Sequence, residues 1–180
     1  MVGSRRCSLL HQRLGIFSKL ALTQLQIIDD FLTEDQILDI RSNSFLSENL
    51  ELDSTGTYSW DEVKIFHPII NFTSKYFDLS NCVLYEIWQQ NNTRPDGWHK
   101  DKDEVLWREG ILKYPLCTSV YYLDVNVTSG GNLFLEDDTV IEPVTNRLVA
   151  FGPGVEHYVE PYSGSRHSII INPWDRFLAS

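Results

Sequence analysis

Beyond residue 82 the apolar residues recur with the period of a β-strand, in short runs separated by turn signals, and no other feature constrains the fold as tightly. The runs fall at 82–88, 99–101, 118–124, 132–135, 140–143, 147–151, 157–159 and 166–171. Alternate side chains of such a run leave opposite faces, so each strand can bury one face and wet the other. Between them lie Asn91 to Gly97, Thr128-Ser129-Gly130-Gly131 and Phe151-Gly152-Pro153-Gly154, rich in residues that reverse a chain. About eight short strands at this spacing predict an antiparallel sandwich or barrel.

The preceding segment reads differently. Ile27 and Ile28 form a short strand, and Thr33 is a good helix N-cap with Gln36 three residues on, the pattern of a capping box. The helix that follows is expected to bury Ile37, Leu38 and Phe45. Residues 47–60 are polar and hold Ser54, Gly56 and Ser59, which predicts a loop carrying Tyr58 and Trp60. A second helix is expected to start at Pro68, because proline suits the first helical turn. The fold class is therefore mainly β with flanking N-terminal α-helices. A chain of 180 residues suffices for one domain with a sizeable core, placed here at residues 25–180.

Residues 1–24 form a basic extension. Arg5, Arg6, Arg13 and Lys19 lie there, and all 25 acidic residues lie beyond position 28. Leu9, Leu10, Arg13, Leu14, Phe17 and Leu20 stand at helical spacing, and the acid-free composition also fits an organelle transit peptide. The whole chain carries a net charge of −10, which argues against nucleic acid as a partner, since phosphate binding needs a basic surface. No apolar run approaches the roughly 20 residues that span a bilayer, so no membrane is expected. Cys7, Cys82 and Cys117 are odd in number, lack CxxC spacing and read as reduced, mostly buried thiols. The expected location is cytoplasmic, or an organelle if residues 1–24 are a transit peptide.

The chemistry-bearing stretch is Trp98-His99-Lys100-Asp101. On a strand, His99 and Asp101 project from one face and can share a metal ion. With five histidines in the chain a His-X-Asp triplet is close to a chance event, at roughly 0.4 occurrences, so its context must decide. His157 supplies that context, because it follows the turn at Gly152-Pro153-Gly154 and opens a strand. Together the three residues would make a two-histidine, one-carboxylate facial set, which leaves three positions open on an octahedral Fe(II). Arg166 lies nine residues further on, in a strand that continues Ser-Ile-Ile-Ile. A guanidinium there is costly to bury without an anion, and its planar fork matches a carboxylate; a structural Arg–Asp pair is the alternative. Ser168 projects from the same face.

Taken in order, these residues carry a resemblance. Ile27-Ile28-Asp29-Asp30-Phe31-Leu32, Tyr85, His99-Lys100-Asp101, Thr118 with Tyr121-Tyr122-Leu123, Gly130-Gly131-Asn132-Leu133-Phe134, Phe151 with His157, and Arg166-His167-Ser168 are similar to the Fe(II)- and 2-oxoglutarate-dependent dioxygenases. The prolyl 4-hydroxylase-like branch is the nearest, over residues 25–175. The resemblance implies a double-stranded β-helix, a cupin-like jelly roll flanked by helices, which agrees with the periodicity.

It further implies His99, Asp101 and His157 as iron ligands and Arg166 as the partner of the 2-oxoglutarate C5 carboxylate. Ser168, Tyr122 and Thr118 would support that carboxylate, and Tyr85 would close the same pocket. Phe134 would pack inward behind the turn at Gly130-Gly131. The implied cofactors are Fe(II), 2-oxoglutarate as cosubstrate and O₂, with ascorbate as an optional addition. The implied activity is hydroxylation of a C–H bond with release of succinate and CO₂, expected on a prolyl residue in a peptide or protein. Trp88, Trp98, Trp107, Tyr58 and Trp60 are candidates to line a groove for such a chain.

The sequence also departs from the family. The polar loop 89–98 is long, and residues 102–114 form an acidic insert containing Trp107. Both flank the expected entrance, so the family's substrate does not carry over. Asp103 is a rival carboxylate that lacks the family spacing. The same chemistry on a small molecule or another side chain, a non-catalytic jelly-roll binding module and a cupin-type metalloenzyme remain as alternatives.

Overall fold

Thr33 starts the first helix as expected. Its side chain accepts from the Gln36 backbone N–H while the Gln36 side chain accepts from the Thr33 N–H, closing a capping box ahead of α1 (Glu34–Ser42). The computed structural model describes residues 24–43, 55–90 and 96–179. All but Gln24 of the basic extension, together with Phe45, lies outside the described residues. Within α1, Ile40 is fully buried and Ile37 packs against the core, whereas Leu38 faces solvent, contrary to expectation. A 3-10 turn (Lys64–Phe66) then leads into α2 (His67–Thr73), with Pro68 in its first turn.

The predicted loop 47–60 is corrected at its end. Residues 55–58 form β2 (Thr55–Tyr58), which pairs with β3 (Leu84–Gln90). Two threonines and a tyrosine suit a strand, and β2 covers an edge of β3 that would otherwise be left unpaired. The remaining strands are β1 (Leu25–Ile28), β4 (Asp96–His99), β5 (Thr118–Gly130), β6 (Leu133–Leu135), β7 (Val140–Ile141), β8 (Arg147–Phe151), β9 (His157–Val159) and β10 (Tyr162–Trp174). A short helix, α3 (Glu104–Arg108), interrupts the insert after Asp101.

These strands form two antiparallel sheets. The larger runs β1-β8-β5-β10-β3-β2 and the smaller β4-β9-β6-β7. From β3 to β10 the strands alternate between the sheets except at the β6–β7 hairpin, which is the double-stranded β-helix of a jelly roll; strand makes up 41% of the described residues and helix 17%. β5 and β10 run longer than their sequence periodicity suggested, because Ser129 and Gly130 pair with Ser163 and Tyr162 before the chain turns. The turn comes at Gly130 and Gly131, with φ of 71° and 85°. A Cβ on Gly130 would meet the Pro161 carbonyl oxygen at 2.1 Å, so glycine is required there.

Strand alternation sorts side chains into two cores. Toward the helices, Ile87, Tyr121, Leu148, Ile169 and Ile171 pack with Ile40, Phe66 and Ile69. Between the sheets, Tyr122, Leu133, Leu135, Val149 and Phe151 fill the barrel. Leu133 and Leu135 take the inward positions of β6, so Phe134 turns outward and stacks on Tyr158 at 4.8 Å. The expected inward packing of Phe134 is therefore wrong by one residue of pleat.

Candidate metal centre

β4 and β9 set the two histidines side by side. His99 and His157 are direct cross-strand partners, with rings 4.3 Å apart. The chain leaves β4 after His99 and brings Asp101 across the same end of the barrel. Its Oδ1 lies 3.9 Å from His99 Nε2 and 4.0 Å from His157 Nε2. The three ligand atoms all stand within 4.8 Å of one another. Among the described residues they form a group that can hold a metal ion.

The tautomers follow from hydrogen bonds. His99 Nδ1 lies 2.7 Å from the Gly97 carbonyl oxygen, and His157 Nδ1 lies 3.0 Å from that of Val155. A carbonyl can only accept, so each Nδ1 carries the proton and each Nε2 presents a lone pair to the cluster. Ring orientation is fixed by the same bonds, as it is around ligating histidines generally. Asp101 is fixed in turn: Thr118 Oγ1 donates to its Oδ2 at 2.6 Å, which leaves Oδ1 for the shared point. Asp103, the rival carboxylate, is spent elsewhere. It caps α3 through the N–H groups of Val105 and Leu106 and accepts from the Ala179 N–H at 3.2 Å.

Arg166 reaches the same cavity from β10. The cavity is lined by the three cluster residues with Thr118, Tyr122, Trp88, Gln90, Val120, Leu133, Ile170 and Arg166. Arg166 is 1% exposed, sandwiched between Tyr162 at 5.0 Å and Tyr122 at 5.9 Å. Its guanidinium donates to the Gly131 carbonyl at 3.1 Å and to Gln90 Oε1 at 2.7 Å. Both partners are neutral, and among the described residues no carboxylate pairs with it. The structural Arg–Asp pair is therefore not what the fold makes. Arg166 Nε and the neighbouring Ser168 Oγ are both buried without a hydrogen-bond partner. A buried cation with an open donor beside an open hydroxyl is an arrangement that an anionic oxygen would satisfy.

Two expectations change. Tyr85 does not close this pocket: it packs on the helix side of the sheet, 5.9 Å from Trp60, and burial pushes its hydroxyl pKa well up. On β3 the inward positions are Glu86, Trp88 and Gln90, and Tyr85 has the opposite parity. Thr118 lines the cavity as expected, but its hydroxyl serves Asp101 rather than a distant carboxylate. Gln90, expected in the polar loop 89–98, instead ends β3, and counting forward by twos from Trp88 puts it on the inward face. Of the other aromatics, Trp98 and Trp107 are exposed, Tyr58 packs against the helix-side core and Trp60 stacks on His67 at 3.7 Å.

Comparison with solved structures reports the same architecture. A prolyl-4-hydroxylase from Pseudomonas putida superposes with a TM-score of 0.60 at 19% identity, over 88% of this chain and 96% of that one. A viral collagen prolyl hydroxylase from Paramecium bursaria Chlorella virus-1, as its 2-oxoglutarate complex, gives 0.58 at 17% identity, over 84% and 94%. A prolyl hydroxylase from Trichoplax adhaerens, in complex with a hypoxia inducible factor oxygen degradation domain peptide fragment, gives 0.51 at 20% identity, over 84% of each chain. No family model and no curated protein matches the sequence. At these identities the likeness establishes the fold. Among the described residues no helix is long and apolar enough to cross a membrane.

Proposed function

We propose that the protein is an Fe(II)- and 2-oxoglutarate-dependent oxygenase that hydroxylates a C–H bond, with a prolyl residue of a peptide or protein as the substrate. One observation carries the reading: a His-Asp-His cluster and a buried arginine without a counter-anion share a single cavity. The solved structures that share this fold are prolyl hydroxylases, one described as a 2-oxoglutarate complex and one with a peptide bound, which supports the same assignment.

In this reading His99 Nε2, His157 Nε2 and Asp101 Oδ1 hold iron, and Arg166 with Ser168 holds the far carboxylate of 2-oxoglutarate. When bound, iron and cosubstrate supply the oxidising power, one oxygen atom of O₂ going to succinate and the other to the substrate hydroxyl, with loss of CO₂. The protein's own residues orient and exclude. The Gly97 and Val155 carbonyls and the Thr118 hydroxyl fix the three ligands before metal arrives. Gln90 and the Gly131 carbonyl aim the guanidinium down the cavity, while Tyr122 and Tyr162 sandwich it and keep it from water. Val120, Leu133 and Ile170 give the cavity its apolar lining.

The test is anaerobic addition of Fe(II) and 2-oxoglutarate, followed by exposure to O₂. A visible charge-transfer band and succinate formation are expected in the native chain, and neither in Asp101→Ala. A native chain that binds Fe(II) without the band is a metal protein of another kind. Undiminished turnover in Asp101→Ala would remove that residue from the site.

A further inference from the structure

β3 and β10 form the barrel wall behind the metal cluster, and their inward residues meet in three matched pairs. Gln90 faces Ser168, Trp88 faces Ile170, and Glu86 faces Asn172. The first pair belongs to the acid clamp around Arg166. The second is apolar. The third is polar again, and nothing in the clamp uses it. Trp88, His99 and Asp101 line the clamp cavity and also a second, more open cavity, whose other walls include Glu86 and Asn172.

The floor of this second cavity is chemically unusual. Asn172 is fully buried, and neither its Oδ1 nor its Nδ2 makes a hydrogen bond of normal geometry, although the amide lies near enough to Glu86 to favour its carboxylate. An amide buried in this way costs free energy that a bound donor–acceptor group would restore. Trp174 Nε1 donates to Glu86 Oε2 at 2.9 Å and holds the carboxyl group in place. The lysines at the rim are already paired, Lys102 with Glu104 of the same cavity wall at 2.8 Å and Lys100 with Glu136 at 3.6 Å.

We propose that the second cavity receives the molecule to be oxidised, and that Asn172 and Glu86 bind an amide of it, a peptide bond or carboxamide next to the reacting carbon. A side-chain carboxamide presents a donor and an acceptor side by side, the complement of the N–H and C=O that one extended residue offers on the same edge or of another carboxamide, and Glu86 can accept a further N–H. The cavity meets the cluster at His99 and Asp101, across Trp88 from the clamp. An occupant therefore reaches the metal without displacing the acid bound at Arg166. The inference rests on the oxygenase reading and names the residues that bind the substrate at the same site.

The full chain loaded with Mn(II), which is paramagnetic and does not turn over, and with 2-oxoglutarate separates the two ideas. The probe is the blocked tripeptide N-acetyl-glycyl-prolyl-glycinamide, read by line broadening of its proton resonances. Broadening is expected with the native chain, and Asn172→Leu should weaken peptide binding about tenfold or more while leaving Mn(II) and 2-oxoglutarate affinities within about twofold. Glu86→Gln, which keeps the shape and one acceptor oxygen for the Trp174 indole, should fold normally and weaken the peptide less. n-Butylammonium, a cation without an amide, should remain sharp. A native chain that binds Mn(II) and 2-oxoglutarate but not the peptide, equal broadening in Asn172→Leu, or broadening of butylammonium instead would overturn the subsite. A native chain that binds neither Mn(II) nor 2-oxoglutarate would overturn the oxygenase reading itself.

Discussion

Thr118 Oγ1 donates to Asp101 Oδ2 at 2.6 Å, so the carboxylate of the candidate triad is held from the next strand of the barrel before any metal binds. Outer partners of this kind orient a ligand, and their loss typically lowers metal affinity about 10- to 100-fold. Thr118→Val keeps the shape and removes only the hydroxyl. It should lower Mn(II) affinity by that factor in calorimetric titration, with the melting temperature nearly unchanged, and Thr118→Ser should restore most of it. An unaltered titration would show that Thr118 merely packs.

Arg166 carries the cosubstrate end of the reading, and it can be separated from the metal. Its guanidinium is hydrogen-bonded only to neutral groups, so its charge is free for a ligand carboxylate. Removing one partner of a buried charged pair costs about 2–5 kcal/mol of binding. Arg166→Met should lose 2-oxoglutarate affinity by about that amount while still binding Mn(II), and Arg166→Lys should recover only part, because an ammonium lacks the fork. A collapse of Mn(II) binding with 2-oxoglutarate affinity kept would make Arg166 structural.

Much of this was legible in the sequence, for a physical reason. The period-2 runs exist because each strand buries one face, so 147–151 and 157–159 could be read to the residue. The cluster was legible because His99 ends β4, His157 opens β9 and Asp101 follows β4 by two residues, so three polar side chains stand among positions where burial otherwise favours apolar ones. What escaped depended on parity or on distant partners. Tyr85 and Glu86 differ by one position, and which of them looks inward is set by pairing with Pro173 and Asn172, far away in the chain. β2 could not be read because its two threonines, glycine and tyrosine become a strand only when β3 offers an edge. Phe134 misled for the same reason as Tyr85.

Asn146 is another residue whose work no local pattern reveals. Its φ is 61°, and its side chain clasps a segment 114 residues away. Oδ1 accepts from the Leu32 N–H at 2.9 Å and from the Tyr121 hydroxyl at 3.0 Å, while Nδ2 donates to the Leu32 carbonyl at 2.9 Å. Asn146→Ala removes all three bonds and leaves a left-handed backbone on an unsuited residue, so it should cost about 2–4 kcal/mol in urea unfolding. Asn146→Gly removes the same bonds without the backbone penalty and should be the more stable variant by about 1 kcal/mol. Equal losses would mean that the hydrogen bonds account for the whole effect.

Glu86 gives the fold a pH dependence that can be signed in advance. Burial raises its carboxyl from 4.5 to about 7, Asp101 and Asp103 add repulsion, and Trp174 and Asn172 offset part of this. In the unfolded chain the group ionises near its ordinary value. Below that value both states are protonated, so Glu86 contributes no pH dependence. Between pH 4.5 and about 7 the folded protein keeps a proton that the unfolded chain has lost. Stability therefore falls as pH rises through this window and levels off above it, by at most about 3 kcal/mol. Glu86→Gln cannot ionise, so its stability relative to the native chain should climb across the same window. Urea unfolding of the metal-free proteins near the two ends of the window would measure the climb, and a flat difference would return Glu86 to the ordinary carboxylate range.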